Sequence, residues 1–256
     1  MLAPGTRMSS SRRLLTAMAV AIGMLCVAES AKADFYEIRL FREFSGSGTL
    51  NGTAENPYAT IIFEQDGSNL EVTVTALDNA APDYGKISDL YFNLTQGGTS
   101  GTATGFTVLT GDVTAPAITF NNRDNPTADT SFKADGDGYF DVRISLASGG
   151  SGAFNPGESF SFVLGGIPGL TLSSIVDISQ GGPAGKNGFY GAAHIQGFGT
   201  NGEGSGWYEG DVYDEDDNVV NAVPEPTGIV LGLFGLANMG LVVRRFRRKS
   251  DVVAVA

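Results

Sequence analysis

The residues with the clearest capacity for chemistry are three aspartates that lie close together in the chain. Asp135, Asp137 and Asp141 occupy relative positions 1, 3 and 7 of the run Asp-Gly-Asp-Gly-Tyr-Phe-Asp. Carboxylates at this spacing in a flexible loop suit Ca²⁺, which prefers oxygen ligands. The run differs from an EF-hand loop because Tyr139 stands at position 5 and Leu146 at position 12, where a carboxylate would close the site. Two interpretations stay open, a calcium loop without other cofactors or an Asp-Gly hairpin turn.

Histidine chemistry has a single candidate. His194 is the one histidine of the chain, which excludes a multi-histidine metal site. A Ser-His-Asp hydrolase would need His194 as its base and a serine on a sharp turn, yet no Gly-x-Ser-x-Gly run occurs. We therefore predict a structural histidine, no catalytic residue and a protein that is not an enzyme. The many carboxylates still leave open a glycan-active hydrolase that uses two of them.

A binding chemistry is indicated by an aromatic pair in a glycine-rich stretch. Trp207 and Tyr208 directly follow Gly204-Ser205-Gly206. An aromatic ring offers a flat apolar face on which a sugar ring can stack, while polar neighbours bind its hydroxyl groups. Packing in the core is the alternative role of such rings. The two residues are therefore candidate glycan contacts, and the body is a candidate carbohydrate-binding module.

The charge of the chain is distributed unevenly along its length. The net charge is −12, but the segment 34–223 contains 25 acidic and seven basic residues, a net charge of −18. Such a body repels phosphates, so we expect no nucleic-acid partner. The acids of Asp211–Asp217 form a dense run that favours a solvated, extended segment. We therefore predict an acidic linker over residues 209–222.

Short alternating runs predict that the body is built from strands. Leu70–Ala76, Phe140–Leu146 and Phe160–Leu164 place apolar residues at every second position, which is the period of a half-buried strand. Dipeptides such as Asp66-Gly67 mark turns, and no amphipathic helical pattern separates the runs. We therefore predict an all-β domain over residues 34–208, an antiparallel β-sandwich or jelly-roll-like body. Residues 90–94 repeat the alternation, and less regular candidate strands are 35–41, 58–63, 106–110, 117–120, 170–178 and 189–196.

The N-terminus has the pattern of a signal peptide. Three arginines precede the apolar run Leu14–Val27, and Ala31-Lys32-Ala33 supplies a small-residue cleavage site. We predict that a signal helix within residues 1–33 is removed by cleavage after Ala33; a retained anchor is the alternative. The only cysteine, Cys26, lies in this segment, so the mature chain has no disulfide and no thiol chemistry. The three arginines are Arg7, Arg12 and Arg13.

The C-terminal region combines a proline-bracketed glutamate, an apolar run and a basic cluster. Val223-Pro224-Glu225-Pro226 precedes Thr227–Val243, seventeen residues without a charge. As a helix this run spans roughly 25 Å, which is near the short limit for crossing a bilayer. Five basic residues follow and predict a cytoplasmic end. We therefore predict a transmembrane helix, and the basic residues are Arg244, Arg245, Arg247, Arg248 and Lys249.

These three parts in this order resemble the PEP-CTERM sorting signal of exported proteins in Gram-negative bacteria that make exopolysaccharide. The resemblance implies that an exosortase recognises Pro224, Glu225 and Pro226. It also implies that Ile229–Val243 is a transient membrane anchor, with the basic cluster as its cytoplasmic stop. The chain departs from the pattern in carrying the extra tail 250–256 and Asn238 within the apolar run. The sorting signal therefore covers residues 223–249.

Together these features predict a non-enzymatic protein that is exported through the inner membrane as an anchored precursor. The resemblance implies cleavage near the sorting motif and release to the cell surface or to an extracellular exopolysaccharide matrix. Two other functions stay open. One is a permanently anchored surface protein, for which the same tail is an ordinary membrane span. The other is a carbohydrate-binding module.

Overall fold

The computed structural model describes residues 35–46, 52–78, 85–98, 100–122, 132–135, 138–181, 188–198 and 201–220. Within these ranges the chain forms ten strands and one short 3-10 turn, Leu172–Ile175. The strands are β1 (Phe35–Gly46), β2 (Ala59–Asp66), β3 (Asn69–Ala76), β4 (Lys86–Phe92), β5 (Thr102–Thr110), β6 (Ala117–Phe120), β7 (Val142–Ser145), β8 (Ser159–Gly165), β9 (Gly191–Phe198) and β10 (Gly204–Asp214).

All ten strands belong to one antiparallel sheet with the order β5-β8-β3-β2-β1-β10-β9-β4-β7-β6. The hairpin β2–β3 shows how local sequence sets the register. Asp66 pairs with Asn69 across a two-residue turn, and Gly67 adopts a φ of 59°, a left-handed conformation that glycine enters without steric cost. The predicted Asp-Gly turn is therefore confirmed at this position.

The sheet curls until its two edge strands, β5 and β6, approach each other. Gly101, just before β5, packs so closely on the ring of Phe120 at the end of β6 that a β-carbon at Gly101 would lie 2.3 Å from the ring. The all-β antiparallel body is confirmed. The two-layer sandwich or jelly-roll-like arrangement is wrong, because the strands form one nearly closed sheet. Alternation of apolar and polar residues indicates only that one face of each strand is buried. This holds equally for a two-layer sandwich and for one curled sheet.

The core fills the inside of the curled sheet. In β3, Leu70, Val72 and Val74 are fully buried while Glu71 between them is exposed, as the alternation predicts. Burying each such side chain stabilises the fold by about 1.5–3 kcal/mol. Aromatic rings connect strands from opposite parts of the sheet; the rings of Phe63 and Phe92 meet edge to face with centroids 5.1 Å apart.

The folded body extends beyond the predicted boundary at residue 208. β10 continues to Asp214, and the chain then turns so that the amide of Val220 donates to the carbonyl of Val212 at 2.8 Å. The carboxylate of Asp214 closes this turn by accepting from the amides of Asp216 and Asn218. The acidic linker predicted for 209–222 is therefore wrong for residues 209–220. Part of its negative charge is balanced by β1, where Arg42 forms an ion pair with Asp211 at 2.9 Å.

Several predicted segments lie outside the described residues. They are the signal peptide (1–33), the sorting signal (223–249) and the tail (250–256). No helix within the described ranges combines the length and apolar character that a membrane span requires.

Candidate functional site

Four neighbouring strands carry a line of polar and aromatic side chains on the outer face of the sheet. The strand register places Trp207 of β10 opposite His194 of β9, His194 opposite Asp89 of β4, and Asp89 opposite Ser145 of β7. We call Trp207, His194, Asp89 and Ser145 the polar row. With strands about 4.8 Å apart, the row is roughly 14 Å long.

A β-bulge in β4 adds a hydroxyl group to the row. The register shifts between Ile87 and Asp89, so Ser88 is the extra residue of the bulge. Ile87 and Leu90 consequently both reach the core, although alternation over three positions would place them on opposite faces. The Ser88 hydroxyl lies 2.9 Å from Nδ1 of His194 and 3.1 Å from a carboxylate oxygen of Asp89.

His194 is held between an aromatic ring and polar groups. Its ring stacks on Trp207 with centroids 4.5 Å apart and planes 12° apart. The side-chain amide nitrogen of Gln196 lies 3.2 Å from Nδ1 of His194. Burial lowers the pKa of His194 below its usual value of 6.5, and the charges of Asp89 and Asp135 only partly oppose this effect. The imidazole is therefore neutral at pH 7.

The charge of Asp89 is neutralised within the site. Arg143 of β7 donates to one carboxylate oxygen of Asp89 from Nη2 at 2.7 Å and from Nε at 3.0 Å. The Ser145 hydroxyl donates to the same oxygen at 3.3 Å. Arg143 also lies over the ring of Tyr91, 5.9 Å from its centroid. These contacts fix Asp89 and Arg143 as a compact, mutually neutralising pair.

A small apolar cluster on the same outer face fixes Trp207. The Trp207 ring lies 5.7 Å from that of Tyr91, which in turn lies 5.4 Å from the ring of Phe140. Phe44 and Phe189 stack at 4.7 Å beside them. Trp207 packs against both Tyr91 and His194 and remains partly exposed. Its ring is therefore held in one orientation at the surface.

A pocket of about 310 Å³ opens next to the row, at the connection between β9 and β10. Gln196 connects the two features, since it lines the pocket and contacts His194 of the row. This volume is at the lower end of the range for small-molecule sites. We call it the polar pocket; its lining residues are Lys86, Gln196, Gly197, Gly202, Glu203, Gly204 and Ser205.

Two glycines shape the wall beside this pocket. Gly197 has a φ of 79°, and a β-carbon placed on it would lie 3.0 Å from the Cα of Gly85. A side chain at Gly197 would therefore collide with the neighbouring backbone. Glycine at both positions lets the end of β9 approach Gly85, whose amide donates to the Gln196 carbonyl at 2.9 Å.

Ser88 and His194 have the separation of a nucleophile and its base, but the remaining parts of a triad are missing in the described residues. Ser88 is only 4% exposed, so a substrate has little access to its hydroxyl. Among the described residues, no carboxylate is hydrogen-bonded to Nε2 of His194, where a triad needs one. The arrangement is suited to binding through hydrogen bonds and a flat ring.

The structure separates the two predicted glycan contacts. Trp207 lies in the polar row on the outer face, as a surface contact requires. Tyr208 points the opposite way, is 0% exposed and meets the ring of Tyr58 at 4.9 Å. The prediction that Tyr208 contacts a glycan is therefore wrong, because adjacent residues of a strand face opposite sides of the sheet.

The predicted calcium ligands are also placed differently. Asp141 is 0% exposed, and its carboxylate accepts from the amide of Leu94 at 2.9 Å. Asp135 has a left-handed φ of 49°, and its carboxylate accepts from the Ser45 hydroxyl. Asp137 lies outside the described residues. Within the described part of the chain, no group of three or more His, Cys, Asp or Glu side chains is arranged to hold a metal ion.

Local sequence patterns do not predict most of the residues that form this site. Ser88, Asp89, Arg143 and Gln196 stand at polar positions of the strands, where a solvated side chain is the ordinary expectation. Only the pairing of β4 with β7 and β9 brings them together. The sorting residues Val223–Pro226 and the basic cluster lie outside the described residues.

Comparison of the chain with protein-family models, with curated proteins and with solved structures finds no match.

Proposed function

We propose that the chain is an exported, non-enzymatic surface protein whose body binds a polysaccharide through the polar row and the polar pocket. The observation that carries this proposal is the continuity of the two features through Gln196, which contacts His194 and lines the pocket. A flat ring, hydroxyl groups, an amide and charged groups therefore lie side by side on one surface.

Sugars have the chemistry that such a surface recognises. A sugar ring combines an apolar C–H face with a rim of hydroxyl groups that both donate and accept hydrogen bonds. The partly exposed Trp207 supplies a flat apolar face, while Gln196 and Ser205 supply an amide and a hydroxyl. Since the row is roughly 14 Å long and continues into the pocket, an elongated chain of sugars fits it better than a single sugar.

The binding surface is ordered before any ligand arrives. Trp207 is fixed between His194 and Tyr91, and Arg143 is fixed by Asp89. Ordering a free side chain on binding costs about 0.5–1.5 kcal/mol. Because these side chains are already held in place, little of that cost remains for the ligand to offset.

Replacement of the exposed ring tests the binding proposal. We expect Trp207→Ala to weaken polysaccharide binding about fivefold or more, since an aromatic stack contributes on the order of 1 kcal/mol. Affinity electrophoresis of the full chain, in a detergent without a sugar headgroup, measures the effect. Leu109→Ala is the matched control, because Leu109 is a 51% exposed apolar side chain on the edge strand β5. Equal retardation of Trp207→Ala and the unchanged chain would count against the proposal.

We further propose that the C-terminal segment is a sorting signal read by an exosortase. The support is the order of its parts in the sequence: Val223–Pro226, an uncharged run, and a basic cluster, paired with an N-terminal signal peptide. Under this proposal Ile229–Val243 anchors the precursor in the inner membrane with its basic end in the cytoplasm. Cleavage near Pro224–Pro226 then releases the body to the cell surface or to an extracellular polysaccharide matrix.

Replacement of the motif's carboxylate separates a sorting signal from an ordinary membrane span. We expect Glu225→Ala to leave the protein in the membrane fraction, because an enzyme that reads the motif loses its recognition group. Asp251→Ala is the matched control for loss of an acid near the C-terminus. Cell fractionation and mass spectrometry of the released protein give the readout. A released chain that still ends at Ala256 contradicts processing, and an unchanged distribution of Glu225→Ala favours a permanent anchor.

A further inference from the structure

We propose that the ligand of the polar row and the polar pocket is an uncharged polysaccharide. This inference rests on the proposed function and specifies the chemical class of its ligand. It follows from where the charges of the body lie and from which of them are already paired.

The cations of the described body are engaged within the protein. Arg39 forms ion pairs with Glu37 and Asp217, at 2.7 and 2.6 Å. Arg42 is paired with Glu209 and Asp211. The remaining described bases are Arg143, paired with Asp89, Lys86, bonded to the Ser148 carbonyl, and Lys133, which lies 4.3 Å from the Tyr139 ring centroid.

Together with Arg143, the polar row carries no net charge at neutral pH. Asp89 and Arg143 cancel each other at a separation of 2.7 Å. His194 stays neutral because its burial disfavours the imidazolium. A carboxylate or sulfate on a sugar would therefore find no uncompensated cation in the row.

The polar pocket is balanced in the same way. Lys86 and Glu203 line it with opposite charges, and its other lining residues are uncharged. Three of those residues are glycines, whose backbone amides and carbonyls a ligand can approach closely. Such a lining donates and accepts hydrogen bonds without favouring either sign of charge, which suits hydroxyl groups.

The field of the whole body acts against an anionic ligand. The segment 34–223 has a net charge of −18, so a polyanionic chain is repelled as it approaches the site. At physiological ionic strength charges interact over about 8 Å, so acids within this distance of the pocket act on a ligand bound there. A polycation is attracted everywhere on this surface, but that attraction is not directed at the row or the pocket.

A binding panel at two salt concentrations tests the inference on the full chain in a detergent without a sugar headgroup. The probes are dextran, a β-glucan and mannan as neutral polymers, alginate and hyaluronate as anions, and chitosan as a cation. We expect at least one neutral polymer to bind, with an affinity that changes less than about twofold between about 10 and 200 mM NaCl. Trp207→Ala should weaken this binding and Leu109→Ala should not.

Binding that is confined to alginate or hyaluronate would overturn the neutral-ligand inference and leave the proposed polysaccharide function standing. Absence of binding to every polymer would overturn the proposed function itself. Chitosan binding that vanishes at high salt and is unchanged in Trp207→Ala would come from the negative field of the whole body. If no neutral polymer bound as well, this result would overturn the neutral-ligand inference.

A gain-of-binding variant tests the charge balance directly. Glu203→Gln removes the acid that lines the pocket and leaves Lys86 as its one charged lining residue, so we expect alginate to bind this variant several-fold more tightly than it binds the unchanged chain. Glu71→Gln is the matched control, because Glu71 is an exposed acid on β3, which lies away from the site in the sheet order. An equal response of the two variants would show that the pocket's own charge balance does not control selectivity.

Discussion

Trp207 and His194 are the one tryptophan and the one histidine of the chain, and they stack on each other. At the scale of single residues, the indole fluorescence of Trp207 and the titration of the His194 imidazole both report on the polar row alone. Indole fluorescence reports only Trp207, and imidazole titration reports only His194. The site can therefore be followed without a label.

Acidification should quench the fluorescence of Trp207. Burial lowers the pKa of His194, so the imidazolium forms beside the indole only at a pH below the usual value of 6.5. A fluorescence titration is expected to show a midpoint below 6.5, and His194→Gln should remove the step. A midpoint above 6.5 would contradict the burial argument.

The same shift makes stability depend on pH. The unfolded chain takes up the proton first, because its histidine has the higher pKa. The contribution of His194 to stability is therefore largest above about pH 6.5 and is lost as the pH falls from there to the folded-state pKa.

At the scale of secondary-structure elements, some strands were predictable and others were not. The run Leu70–Ala76 was predicted as a strand and is confirmed as β3, because alternation continues over its whole length. The local sequence does not predict the bulge at Ser88, since the bulge depends on how β4 pairs with β9. The acids of β10 favoured the prediction of a linker, because the arginine that pairs with Glu209 and Asp211 lies on β1, far away in the sequence.

Truncation tests the corrected boundary of the body. We expect residues 34–220 to unfold cooperatively, whereas residues 34–208 should lose that transition or have a much lower melting temperature. The shorter chain lacks the half of β10 that pairs with the start of β1, including Val212, which is fully buried, and Tyr213. Their burial contributes about 3–6 kcal/mol, a large part of a typical total of 5–15 kcal/mol. Equal melting curves by circular dichroism would restore the boundary at residue 208.

At the scale of the whole molecule, one nearly closed sheet separates the core inside from the site outside. Turn dipeptides and alternation predicted an all-β body, but they could not distinguish one curled sheet from two stacked sheets. The seam between β5 and β6 leaves a groove of about 240 Å³ lined in part by Phe106, Ile118 and Phe162. The polar row lies on β10, β9, β4 and β7. The site therefore depends on the order of the strands in the sheet, which local sequence patterns do not predict.

Titration of the Trp207 fluorescence tests the claim that the outer face around Trp207 binds an uncharged polysaccharide. The chain in its full length is titrated with a neutral polysaccharide that it retains in affinity electrophoresis, at pH 7 and near-physiological salt. We predict a saturable change in emission with the same affinity that electrophoresis gives, and no such change with alginate. Binding of the neutral polymer without any change in Trp207 emission would place the ligand elsewhere and contradict the claim.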